Sequence, residues 1–159
     1  MDDALAYAAA LKEARLGMSE GGIPIGASLV VDGGILATGH NQRVQLGSSI
    51  HHGETNCIEN AGRQPAAVYA RSTIYTTLSP CFMCAGTILL YKIPRIVIGE
   101  NTHFEVSEGL LRSHGVEVVV LDDVETKTMF SQWMQDHPTL WSEDIGEEPD
   151  DQKTVTPIS

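Results

Sequence analysis

The sequence predicts one mixed α/β domain, a sheet layered with helices and with parallel pairing late in the sheet. Three observations lead there. The chain has 159 residues, the length of an ordinary single domain. It is 42% hydrophobic and 19% charged, enough for a core without the bias of a disordered chain. After one short hairpin, strand and helix patterns alternate to the end.

Residues 4–16 are Ala-rich, with Lys12 and Arg15 near the end, and predict a helix stopped by Gly17. Residues 27–31 and 35–38 flank Asp32-Gly33-Gly34 and predict a β-hairpin. Residues 39–49 have no period and read as a loop. A helix is expected over 52–62, a strand over 73–78, and a helix from Pro80, in its first turn, to about Tyr91. Residues 95–99 and 116–121 are continuous apolar strands of the kind buried on both faces. Helical patterns over 108–113 and 125–135 follow them. The domain is expected to span 1–147, with 148–159 an acidic, solvated tail.

Charge and composition narrow the function. Asp plus Glu number 21 against 10 Lys plus Arg, a formal net charge of -11. A polynucleotide binder places Lys and Arg on phosphates, and this chain has no basic block. The balance points to a small molecule of neutral or positive charge. The longest apolar runs, such as 96–98 and 118–121, fall far short of the ~20 residues of a membrane span. Residues Met1-Asp2-Asp3 open no basic or apolar leader, so a cytoplasmic protein is expected. Three cysteines, Cys57, Cys81 and Cys84, suit a thiolate metal site or redox pair better than a disulfide framework.

Two segments carry chemistry: His52-Gly53-Glu54 and Pro80-Cys81-Phe82-Met83-Cys84. Cys81 and Cys84 fall at i, i+3 in the first turn of a helix, where N–H groups and the dipole favour thiolates. His52 adds a nitrogen ligand from another helix start. Three such ligands suit Zn²⁺ and leave a fourth tetrahedral position for water, the catalytic arrangement. A structural site needs a fourth ligand, and His40, His51, Cys57 and His103 stand at no motif-like offset. Glu54 is too close to His52 to share the ion and well placed to reach the water, whose pKa zinc lowers to about 7. It is expected to take the water's proton and return it to a leaving nitrogen. Together the two segments form the signature of zinc nucleobase deaminases.

Further segments resemble the fungal-type cytosine deaminases of the cytidine deaminase superfamily. They are residues 20–26, Gly39-His40-Asn41, 59–63, 75–81, Ile93-Pro94-Arg95 and 141–146, so the resemblance runs from about residue 4 to 147. It implies a homodimer of three-layer α/β/α subunits around a five-stranded mixed sheet, with one zinc per subunit. It also implies that Asn41 and the Gly53 N–H bind the polar edge of a base and that Asp144 accepts from its nitrogens. The Ser79 carbonyl would receive the amino group, while His40, Phe104 and Trp141 pack against the ring. The segment with Trp141 and Asp144 would act as a lid. The chain departs from that family at His51, Thr55 and Phe82, which flank the metal motif and bear on substrate choice. The expected reaction is hydrolysis of cytosine to uracil and ammonia. Isocytosine, creatinine and an aminopurine are the alternative substrates. A nucleoside or tRNA deaminase and a non-catalytic zinc module are the rival classes.

Overall fold

The computed structural model of the chain describes residues 1–149, so most of the expected tail, residues 150–159, lies outside the described residues. Helix α1 (Asp3–Ser19) starts at Asp2, whose carboxylate accepts from the Leu5 N–H at 2.9 Å. It runs through Gly17, where the sequence places its end. Gly17 marks a close approach: a Cβ there would stand 2.9 Å from the His40 ring. The helix ends instead at Gly21, whose φ of +83° lets the Gly22 N–H return to the Gly17 carbonyl.

Strands β1 (Gly26–Val31) and β2 (Gly34–His40) form the expected hairpin, turning through positive φ at Asp32 and Gly33. There follow α2 (Arg43–Leu46), α3 (Gly53–Ala61), α4 (Ala66–Tyr69), β3 (Ser72–Leu78), α5 (Phe82–Leu90) and β4 (Arg95–Glu100). The described chain ends with α6 (Glu108–Ser113), β5 (Glu117–Val120), α7 (Val124–Asp136) and α8 (Pro138–Asp144). Helices α2 and α4, four residues each, and α8 arise where the sequence shows no helical period. Pro80 precedes α5 rather than entering its first turn, and Cys81 is the N-cap.

The five strands lie in the order β2-β1-β3-β4-β5; β1 is antiparallel to both neighbours, and β3, β4 and β5 run parallel. Side-chain alternation divides the sheet into two faces. Leu29, Ile74, Ile96 and Ile98 face a core with Cys57 and Ala61 of α3, Ala85 and Ile88 of α5, and Leu111 of α6. Val30, Tyr75 and Val97 face the other way, onto Ala6, Tyr7, Ala10 and Leu11 of α1, with Met129 of α7 packed alongside. This is the three-layer α/β/α arrangement. Strand β4 is buried on both faces as expected, but β5 is a partly exposed edge strand, paired on one side only among the described residues. No described helix is long and apolar enough to cross a membrane.

A third cluster closes one end of the sheet: Ile23, Ile25, Leu78, Phe130, Trp133 and Trp141. There β2 presses on α3 at Gly39, where a Cβ would stand 2.5 Å from the Cys57 backbone nitrogen. We expect Gly39→Ala to push α3 outward and cost about 1–3 kcal/mol, as overpacking does. Urea unfolding checks this, and an unchanged midpoint would show that the contact yields freely.

Candidate active site

The site forms where α3 and α5 begin. His52 is the N-cap of α3 and Cys81 the N-cap of α5, with nearly identical extended backbones (φ -75°, ψ 176° and φ -72°, ψ 175°). Cys84 lies one turn further into α5. The His52 N–H donates to the Thr55 hydroxyl at 2.9 Å, and that hydroxyl donates to the Ile50 carbonyl, fixing the approach to α3.

His52, Cys81 and Cys84 bring one ligand atom each within 4.8 Å of the others. His52 Nδ1 stands 3.4 Å from Cys81 Sγ and 3.8 Å from Cys84 Sγ. Tetrahedral zinc with ordinary bond lengths separates N and S by about 3.6 Å, so the three atoms fit the ion. The other ring nitrogen, Nε2, is 3.3 Å from Asp144 Oδ1 but angled off a hydrogen bond, and it has no partner in the described structure. A carboxylate behind a ligating histidine is the usual means of fixing its ring.

In the metal-free chain protons occupy the place of the ion. The bond from Cys84 lowers the Cys81 thiol to about 4, against burial and with help from His52. Burial disfavours charge on His52, but Asp144 and Cys81 outweigh it and raise the imidazole to about 10. The bond to Cys81 and burial push the Cys84 thiol well up. Burial and the neighbouring Cys81 charge raise the Glu54 carboxyl, while Thr76 Oγ1 donates to Glu54 Oε1 at 2.7 Å. Burial opposes the charge of Asp144, yet His52, Arg43 and Asn41 hold it below the usual carboxylate range.

A small, partly open cavity lies beside Cys81. Its polar side is Glu54, Ser79 and Asp144 beside the metal ligands His52 and Cys81; Ile25, Phe104, Trp141 and Ile145 form the apolar side. Trp141 is held edge-on between Phe104 and Phe130, at centroid distances of 5.6 and 5.0 Å. Ser79 is fixed through its hydroxyl, which donates to buried Glu108 at 2.7 Å.

The structure gathers most of the expected residues and displaces three. Asn41 is fully buried behind the lining, its amide donating to both Asp144 oxygens at 3.2 and 3.1 Å. Its Oδ1 accepts from the Arg43 N–H at 2.9 Å, a local Asx turn. Gly53 also lies outside the lining, against Ile25 and Gly26. His40 also lies outside the lining, with its two ring nitrogens 2.6 Å from Glu13 and from Glu20. The departures are no closer. His51 Nδ1 accepts from Asn56, Thr55 bonds the backbone before α3, and Phe82 is 63% exposed.

Sequence reasoning missed Thr76, Arg43, Glu108 and the Glu100–His103 pair. Buried Glu100 accepts from the Thr102 and His103 N–H groups and from His103 Nδ1, holding the turn that presents Phe104. An acid at the end of an apolar strand was the one local signal; the others pair across long stretches of chain.

Metal-stripped protein at pH 6 should alkylate at Cys81 alone. Its lowered thiol is ionised there, whereas Cys84 and Cys57 are raised by their surroundings and stay protonated. Peptide mapping after iodoacetamide reads this, and zinc should protect Cys81. Equal labelling of Cys81 and Cys84 would contradict the asymmetry.

Comparison with known proteins agrees with the geometry. The family model of the cytidine and deoxycytidylate deaminase zinc-binding region matches residues 1–100. A cytosine deaminase from Candida albicans is 49% identical over 147 residues, 92% of this chain and 98% of its own. A tRNA-specific adenosine deaminase from Bacillus subtilis is 39% identical over 98 residues, 61% of each chain. The structure of a guanine deaminase from Nitrosomonas europaea superposes with a TM-score of 0.70 over 83% of this chain and 84% of its own; at 18% identity that is a likeness of fold. On the family match and the long Candida alignment, with the His52–Cys81–Cys84 cluster in place, the chain belongs to the zinc-binding cytidine and deoxycytidylate deaminase family.

Proposed function

We propose that the chain hydrolyses free cytosine to uracil and ammonia. The carrying observation is the small cavity over His52, Glu54 and Cys81, roofed by Trp141 and Ile145 and edged by Asp144. The near full-length likeness to the Candida cytosine deaminase supports the same substrate. The three departures that suggested another cyclic amidine do not line the cavity. On the Candida likeness cytosine stands ahead of isocytosine, creatinine and aminopurines.

His52, Cys81 and Cys84 would hold one zinc per subunit, which supplies hydroxide at neutral pH by lowering the pKa of water to about 7. Glu54 takes the proton that the water gives up and delivers it to the departing amine. Thr76 keeps one Glu54 oxygen engaged, so the other is left to move the proton. Asp144 accepts from a ring N–H, the fixed Ser79 peptide offers its carbonyl to the amino group, and the Gly53 N–H at the start of α3 meets the ring carbonyl. Asn41 serves the polar edge through Asp144. Phe104 and Trp141 exclude water. We further propose that the enzyme is a homodimer, to which exposed Leu46, Ile50 and Phe82 offer apolar surface.

Glu54→Gln should keep its zinc and lose about 10²–10⁴-fold in kcat, the usual contribution of a general acid–base. Ammonia release and metal content measured on one preparation check this; a zinc-loaded variant within tenfold of wild type would remove Glu54 from the chemistry. Wild type should release ammonia from cytosine and leave cytidine and guanine untouched.

A further inference from the structure

Arg43, the first residue of α2, lies on the corner between β2 and α3, and the chemistry above gives it no part. Its side chain is only 14% exposed. Nε donates to Asp144 Oδ1 at 2.8 Å, and its own backbone N–H donates to Asn41 Oδ1 at 2.9 Å. Asn41 in turn donates to both oxygens of Asp144. Asp144 is the last residue of α8, the helix that carries Trp141 over the cavity. Trp141 itself packs on Phe104 and Phe130 within the cluster of Ile23, Ile25, Leu78 and Trp133, and Arg43 Nη1 also lies 3.9 Å from Glu143 of the same helix. One residue therefore aligns both the amide and the carboxylate of the polar edge, and ties the end of the lid to the β2–α2 corner.

We propose that Arg43 is a positioning residue that latches α8 shut and decides which Asp144 oxygen meets the substrate. Oδ1 accepts from Arg43 and Asn41 and has His52 Nε2 at 3.3 Å, whereas Oδ2 accepts from Asn41 alone and is the oxygen left for a ring N–H. The directional Nε–H bond sets this asymmetry. A point charge at the same place would hold α8 down without choosing the oxygen. The inference rests on the base-deaminase reading for its substrate, but the latch itself is a property of the metal-loaded chain with no substrate present.

The test uses the zinc-loaded enzyme carrying Trp133→Phe, so that Trp141 is the single tryptophan of the two in the sequence. Into it go Arg43→Gln and Arg43→Lys. Three quantities are read: acrylamide quenching of Trp141, KM and kcat on cytosine, and zinc content. For Arg43→Gln we expect at least twofold stronger quenching and a KM raised at least about tenfold, with kcat changing less and zinc retained. For Arg43→Lys we expect quenching near that of the parent and a KM raised about fivefold. If Arg43→Gln does not fold, the charge-preserving Arg43→Lys carries the decision. A folded variant with KM within twofold of the parent overturns the proposal. If the parent is inactive on cytosine while quenching rises in Arg43→Gln, the latch stands and the substrate assignment falls. If the parent is active and neither variant differs from it, the assignment stands and the latch falls.

Discussion

The site depends on the starts of two helices meeting at one point. Helices α3 and α5 lie on the same face of the sheet and share one core, where Cys57 and Ala61 pack with Ala85 and Ile88. That packing brings His52 and Cys81, the two N-caps, to within ligand distance of each other, and the i, i+3 spacing in α5 adds Cys84. An N-cap has extended backbone, so its side chain leaves the helix axis and can turn toward a neighbouring helix. Both helix dipoles present their positive ends there, which favours thiolate and anionic oxygen alike. Gly39 admits α3 close to the sheet, so the fit of the metal ligands traces back to ordinary core packing.

Charge then shapes what these groups hold. Cys81, Cys84, Glu54 and Asp144 can each carry a negative charge in a space that water barely enters. Arg43 and His52 both stand against Asp144. In the metal-free chain the load is shed by protonation, which is why Cys84 and Glu54 are raised while the proton near Cys81 stays on His52. His52, Cys81 and Cys84 would hold a divalent ion in place of those protons. Glu54 remains buried beside it, a poor home for a permanent charge and a good one for a proton in transit.

The local part of this was legible in the sequence. The His-x-Glu and Cys-x-x-Cys segments are defined by spacing within a single helix start, and spacing survives without a structure. The hairpin at Asp32-Gly33 and the strands around Ile74 and Ile96 follow from turn chemistry and runs of branched residues in the same way. What escaped depends on partners distant in sequence. Gly17 reads as a helix stop because its real constraint, the His40 ring, sits 23 residues on. His40 reads as a base contact because nothing local announces Glu13 and Glu20. Arg43 and Asp144 are 101 residues apart and meet only when α8 folds over the cavity. Helix α8 itself is seven residues long, too short for a period, although Pro138 at its first turn is a fair start signal.

The same division separates chemistry from selectivity. The family match ends at residue 100, after His52, Glu54, Cys81 and Cys84 and before Phe104, Trp141 and Asp144. The shared part therefore holds the ion and the proton carrier, which any aminoheterocycle needs. The later part adds Phe104, Trp141, Asp144 and Ile145 to a cavity that Ile25 and Leu78 of the earlier part also line. The tRNA-specific adenosine deaminase and the cytosine deaminase match this chain over 61% and 92% of its length, and the longer match must take in α8. Phe82 and Thr55, though adjacent to the metal ligands in sequence, point to solvent and to backbone. Nearness to the motif along the chain is thus a poor guide to specificity here, and the contacts of α8 are a better one.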